Sequence, residues 1–201
     1  MPDSPRAESP LNQVSLAELP DAAVTLVEIP FQGLVNLRGR PDDAEFMAAV
    51  AGVLGIEPPQ GPNTVARAGE ATLFWLAPDE WLVMTPPGRQ EALVDALEAA
   101  LEGQFSSVVE VTGYYTTVAV GGPRAADLLA KGCTLDLHPS VLGYGRCAQT
   151  LLAKATVLLW PVDETPPAYR LLVRRSFADY LGRWLNDAVR EFETAAVSVS
   201  S

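Results

Sequence analysis

Residues Gly143-Tyr144-Gly145-Arg146-Cys147-Ala148 carry the letters of a GxGxxA dinucleotide fingerprint, in which small residues let the backbone approach a pyrophosphate at a helix N-terminus. That chemistry needs a strand before the glycines and a helix after them. Here a loop precedes and the strand-like run TLLAKATVLLW follows, so a glycine-rich turn is the expected role. Cys133, Asp136, His138 and Cys147 are all zinc-ligand types in one short stretch, but their spacing matches no familiar zinc pattern. His138 is the single histidine, and Pro139 holds it extended; a hydrogen-bonded loop histidine is expected. The pairs Asp42-Asp43 and Asp79-Glu80 could in principle trade protons. They fall, however, where a helix cap and a tight turn need oxygen acceptors.

No GxSxG elbow, HExxH pair or GxxxxGK[ST] loop occurs, which withdraws the usual sequence support for acyl transfer, zinc hydrolysis and P-loop phosphoryl transfer. No catalytic, cofactor-binding or metal-ligating residue is therefore assigned to this chain. What remains is arginine. Arg170, Arg174, Arg175 and Arg183 gather before and within the last helix, where cations gain nothing from the N-terminal end of a helix dipole. They pair either with carboxylates of a partner, which guanidinium forks bind bidentately, or with this chain's own Asp179 and Glu164. With Arg146 they form the candidate partner-interface set. The four tryptophans and Tyr114-Tyr115 suit a large interface, although most of the tryptophans fall on strand or helix patterns typical of core.

The elements that must position these residues follow from periodicity. VTLVEI and LVNLR around Pro30-Phe31-Gln32-Gly33 read as a hairpin. A helix follows with Asp42 or Asp43 as cap, Phe46, Val50, Val53 and Leu54 on one face, and Gly55 as stop. TLFWL and WLVMT, apolar on both faces, form a second hairpin deep in a sheet, and a helix over about 89–102 carries Leu93, Leu97 and Leu101. The order then repeats. VVEVT and TTVAV form a hairpin across Gly113-Tyr114, a helix runs from Pro123 to Gly132, TLLAKATVLLW pairs with YRLLV, and a helix over about 176–191 closes the chain. Val27-Glu28 matches Val109-Glu110, Gly39 matches Gly122, and Trp75 matches Trp160 at a nearly constant separation. This predicts an α+β fold of tandem ββαββα halves, 23–104 and 105–192, whose sheets pair or pack back to back. The Pro-rich residues 1–22 are expected to be a flexible arm and 193–201 a flexible tail.

The chain has 201 residues and a net charge of −11, with 5 basic and 17 acidic residues in 1–110 but 9 and 8 in 111–201. Such an acidic surface repels phosphate backbones and anionic membranes, which argues against nucleic-acid or membrane binding. No run of eighteen apolar residues and no secretory signal pattern is present; the expected compartment is the cytoplasm, with Cys133 and Cys147 reduced.

The segments GPRAADLLAKGCTLDLHP, GRCAQTLLA and LLVRRSFADYLGRWL, supported by PNTVA and LAPDEWLVMTPPG, resemble the gamma subunit of heterotetrameric sarcosine oxidase over nearly the whole chain outside its two tails. A wider resemblance, carried by the GPxA helix, the Asp-Leu segment and the glycine-led strand after it, is to the folate-binding scaffold of glycine-cleavage aminomethyltransferases. The resemblance implies a ferredoxin-like, duplicated α+β architecture. It also implies a non-catalytic subunit whose alpha and beta partners carry FAD, FMN, NAD and tetrahydrofolate and oxidise sarcosine to glycine. In those aminomethyltransferases an acidic pair follows the strand at about the place of Lys154-Ala155-Thr156-Val157 here, and its absence argues against methylene transfer by this chain. A stand-alone folate-binding or aminomethyltransferase-like protein on the same scaffold is the alternative.

Overall fold

A computed structural model describes residues 7–17 and 23–194. The chain runs β1 (Thr25–Ile29), β2 (Gly33–Arg38), α1 (Ala44–Leu54), β3 (Val65–Ala68), β4 (Ala71–Ala77), β5 (Glu80–Thr85) and α2 (Gln90–Ala100). It continues through β6 (Ser107–Glu110), β7 (Tyr115–Gly121), α3 (Ala125–Ala130), β8 (Ala148–Leu152), β9 (Ala155–Glu164), β10 (Pro167–Arg174) and α4 (Arg175–Thr194). Two five-stranded antiparallel sheets result, sheet I in the order β1-β7-β10-β9-β8 and sheet II in the order β3-β4-β5-β2-β6.

Strand residues alternate between faces, so a strand that is apolar at every position needs cover on both sides. Residues Leu34 and Val35 of β2, Leu82 and Val83 of β5, Leu158 and Leu159 of β9, and Leu171 and Leu172 of β10 are all buried. One of each pair faces helices and the other faces the opposite sheet. Val83 and Leu97 share a cluster with α1 and α2, whereas Leu159 and Leu181 share one with α3 and α4. Leu34, Phe74, Leu82 and Met84 of sheet II meet Cys147, Leu158, Trp160 and Leu172 of sheet I in a third cluster between the sheets. The layers are therefore helices, sheet, sheet, helices, and the back-to-back arrangement is the one adopted.

Local chemistry sets the helix ends. Asp43 accepts from the Glu45 and Phe46 amides at 3.0 and 3.3 Å, and Gly55 closes α1 at φ 71°, a conformation that costs a residue without a side chain little. Gly39 lies under the Phe46 ring, where any Cβ would collide with the aromatic carbons.

Several expectations are corrected. VTLVEI and LVNLR do not form a hairpin, and neither do VVEVT and TTVAV. β1 pairs with β7, and β6 pairs with β2, so each connection carries the chain from one sheet to the other. β1 and β6 are partly exposed and lie at sheet edges, whereas β2 and β7 are buried and lie in the interiors. The run TLLAKATVLLW is two strands, β8 and β9, turning at Ala153 with φ 53°, and β3 pairs with β4 where no strand was expected. The element order is thus ββαβββα, twice over. A division between Gln104 and Phe105 separates the two rounds but not the sheets, because each sheet takes its edge strand from the other round.

Residues 7–17, expected within the flexible arm, instead pack on α4. Leu11 and Val14 are buried against Gly182, and Asn186 receives the Ala17 amide at 2.8 Å while donating to the Ser15 carbonyl at 2.7 Å. Ser9 donates to the Glu28 carboxylate. A composition averaged over 22 residues hides this short apolar set, Leu11, Val14 and Leu16. Residues 1–6, 18–22 and 195–201, also expected to be flexible, lie outside the described residues.

Direct contacts tie sheet to sheet. Phe74 and Trp160 meet edge to face with centroids 4.6 Å apart. Beside β3, the Val65 amide donates to Gly145 O at 2.8 Å and the Cys147 amide to Asn63 O at 2.9 Å. The Cys147 sulfur lies 3.7 Å from Thr64 O and 3.8 Å from Trp75 O; both cysteines are buried and unbridged. Trp160→Ala should cost roughly 3–5 kcal/mol, read as a lowered urea midpoint with an unchanged slope. Burial pushes the Cys147 thiol from 9.0 up to about 12, so the unfolded thiol ionises first. The stability this gives is complete below about pH 9 and drains away as pH rises toward 12, at about 1.4 kcal/mol per pH unit. Urea melts of wild type and Cys147→Ala should therefore converge by about 2 kcal/mol between roughly pH 8 and 10.5.

Candidate functional site

The arginines expected to cluster are dispersed by the fold. Arg146 is exposed in the turn before β8, where its amide bonds Gly143 O at 3.1 Å. Arg175 opens α4 and donates to Gly113 O at 3.4 Å, beside a recess lined by Phe31, Tyr115 and Glu8. Arg183 sits on the exposed side of α4 and pairs with Asp179 at 2.9 Å, one of the own-chain partners the sequence offered. That pairing holds the Arg183 guanidinium above, and the Asp179 carboxyl below, their ordinary values. Glu164, the other candidate, accepts from the Tyr144 amide instead.

Arg170 and Arg174 share the inner face of β10. Two residues point to the same face of a strand when they are four apart, which here separates their Cα atoms by roughly 13 Å. Arg174 is exposed at the mouth of a cleft of about 360 Å³ between the sheets. Leu82, Val111, Leu158 and Leu172 give that cleft apolar walls, and Asn36 donates to Glu80 at 2.7 Å within it. One carboxylate (Glu80), two guanidinium groups (Arg38 and Arg174) and two amides (Asn36 and Gln149) can bind and orient; the lining includes no thiol or imidazole to attack a substrate.

Arg170 is half-buried in mid-strand, between Ala119 of β7 and Trp160 of β9. Burial lowers its pKa, and its guanidinium has no ion pair or hydrogen bond among the described residues. Its isolation is not legible from sequence, because a strand arginine four residues from another looks like part of the same cluster.

The nominal fingerprint and the zinc-type residues are placed as follows. Gly145, at φ 81°, turns the chain directly into β8, with no helix N-terminus behind it. Among the described residues, no three His, Cys, Asp or Glu side chains converge on a point that could hold a metal ion. His138 accepts or donates through Nδ1 to Ser140 Oγ at 2.8 Å, beside a hollow of about 390 Å³ next to α3. The acids around that hollow already have work: Asp127 pairs with Arg124, Asp136 caps the His138 amide, and Asp163 caps Glu164 and Thr165. Asp42 pairs with Arg40 and Asp79 with Arg38, both at the surface. Trp81 and Trp160 are core, Trp75 and Trp184 half-buried, and Tyr114 exposed. No described helix is long and apolar enough to cross a membrane.

Comparison with known proteins gives this arrangement a relative. The family model described as "Sarcosine oxidase, gamma subunit family" matches residues 38–191. A sarcosine oxidase subunit gamma from Arthrobacter sp is 38% identical over 177 residues, 88% of this chain and 85% of that protein. Its counterpart from Corynebacterium sp. (strain U-96) is 37% identical over 179 residues, 89% of this chain and 85% of that one. Among solved structures, a chain of heterotetrameric sarcosine oxidase from Corynebacterium sp. U-96, in complex with pyrrole 2-carboxylate, superposes with a TM-score of 0.82 at 33% identity. The match covers 93% of this chain and 96% of that one. The glycine cleavage system aminomethyltransferase T from Bartonella henselae shares the fold, with a TM-score of 0.59 at 19% identity over 82% of this chain and 45% of its own. The chain belongs to the sarcosine oxidase gamma subunit family.

Proposed function

We propose that this chain is the non-catalytic gamma subunit of a heterotetrameric sarcosine oxidase, bracing the alpha subunit of a cytoplasmic complex. That complex oxidatively demethylates sarcosine to glycine and passes the one-carbon unit to tetrahydrofolate. FAD, FMN, NAD and tetrahydrofolate are then held by the alpha and beta subunits. The observation that carries the reading is the superposition on a chain of such a heterotetramer, across nearly the full length of both. The distribution of the chemically capable side chains supports it: Glu80 and Arg174 line the cleft between the sheets, while His138 and the two buried thiols lie outside that lining. A stand-alone aminomethyltransferase is not favoured, since the curated relatives are gamma subunits.

The same scaffold supports a tandem duplication of ferredoxin-like halves that exchange their first strands. The order ββαβββα occurs twice, and β3-β4-β5-β2-β6 answers β8-β9-β10-β7-β1 position for position. Co-expressed with its alpha and beta partners, the tagged chain should bring down flavin-containing material in one gel-filtration peak. Elution as a separate species, with sarcosine oxidation by alpha and beta unaffected, would overturn the reading.

A further inference from the structure

Across each sheet, one row of side chains runs inward from an open edge to the aromatic contact. In sheet II the paired residues are Val109, Asn36, Leu82 and Phe74. In sheet I they are Val27, Ala119, Arg170 and Trp160. Phe74 and Trp160 touch, so the two rows meet end to end at the centre of the sandwich. At the far ends Val27 and Val109 are 54% and 47% exposed. Neither sheet fully covers the edge of the other.

One difference between the rows replaces an apolar side chain with a charged one. Leu82 is 3% exposed, as an inner-face residue of a sandwich should be, and the matching place in sheet I holds an arginine. Its surroundings are small and flat. Ala119, Gly121 and Ala168 are half-buried on the same face, and Thr25 and Val27 are exposed beside them. The guanidinium thus rises from an apolar floor, half-desolvated and without a carboxylate among the described residues. Leaving a partly buried cation unpaired is destabilising, and a leucine there would remove the penalty.

We propose that this open face of sheet I, centred on Arg170 and flanked by Val27, is a docking surface for a partner subunit, which seats a carboxylate side chain against the Arg170 guanidinium. The choice of occupant rests on charge. Guanidinium forks bind carboxylates, and an ion pair closed off by apolar contacts is typical of interface anchors. Among the described residues no acid pairs with it, although the net charge of the chain is −11. The exposed valine and the small residues around it supply the apolar rim. The assignment rests on the subunit reading given above.

Arg170→Leu, which installs the sheet II residue in sheet I, separates the two roles. Affinity for the co-purified alpha and beta subunits should fall roughly tenfold or more, while the isolated variant melts at or above the wild-type temperature. Arg170→Lys, which keeps the charge but loses the fork, should bind with intermediate affinity, and Arg183→Leu, on the exposed side of α4, should bind as wild type does. Wild-type affinity in Arg170→Leu, or a lowered melting temperature in the isolated variant, overturns the assignment. Equal losses in Arg183→Leu also overturn it, by reducing the effect to general charge. If the wild-type chain itself fails to associate, the subunit reading falls first and the docking surface with it.

Discussion

The fold depends on two sheets that must each bury both faces at once. Helices can cover only the outer faces, so the inner faces have to cover each other, and the Phe74–Trp160 contact joins them directly. Once that contact fixes the separation, the remaining inner residues follow. Leu34, Leu82, Leu158 and Leu172 fill the space around it, and the glycine turn at 145 carries Cys147 in against β3. An arginine placed on such a face is out of keeping with the rest of the layer. Interiors admit polar groups that are satisfied; Asn36 and the Cys147 thiol meet that condition, whereas Arg170 finds no partner among the described residues.

Charge and apolar surface are partitioned accordingly. The acids that sequence alone could offer as proton-transfer groups are engaged in local contacts: Asp43 caps α1, Asp42 and Asp79 pair with arginines at the surface, and Glu80 accepts from Asn36. Exposed pairs of this kind contribute little to stability and nothing to bond-making. The acidic balance of the first 110 residues is in this sense a solvation layer, and the chemically distinctive feature lies in a cation that is only partly solvated.

Much of the local structure was legible in the sequence, because caps, stops and period-two burial are encoded by near neighbours. Asp43, Gly55, the deep placement of TLFWL and WLVMT, and the four helices needed only a short window. Strand partners were not legible. VTLVEI and LVNLR are adjacent and both extended, so proximity favoured a hairpin; the partners actually taken, β7 for β1 and β6 for β2, lie far off in sequence, and a partly exposed strand beside a buried one fits either pairing. The site suffered the same fate. Arg170, Arg174 and Arg175 are close in sequence, but strand alternation and the start of α4 send them to an inner face, a cleft mouth and a separate recess.

The exchanged edge strands also order events during synthesis. β1 leaves the ribosome early, but Thr25 and Ile29 pair with Gly121 and Thr117, so that segment has no backbone partner until β7 has emerged. β2 likewise waits with one flank open until β6 arrives. Contacts so distant in sequence slow assembly and leave strand edges uncovered in the nascent chain. Neither round of elements can therefore complete its sheet before the other exists, and the molecule matures as one cooperative unit.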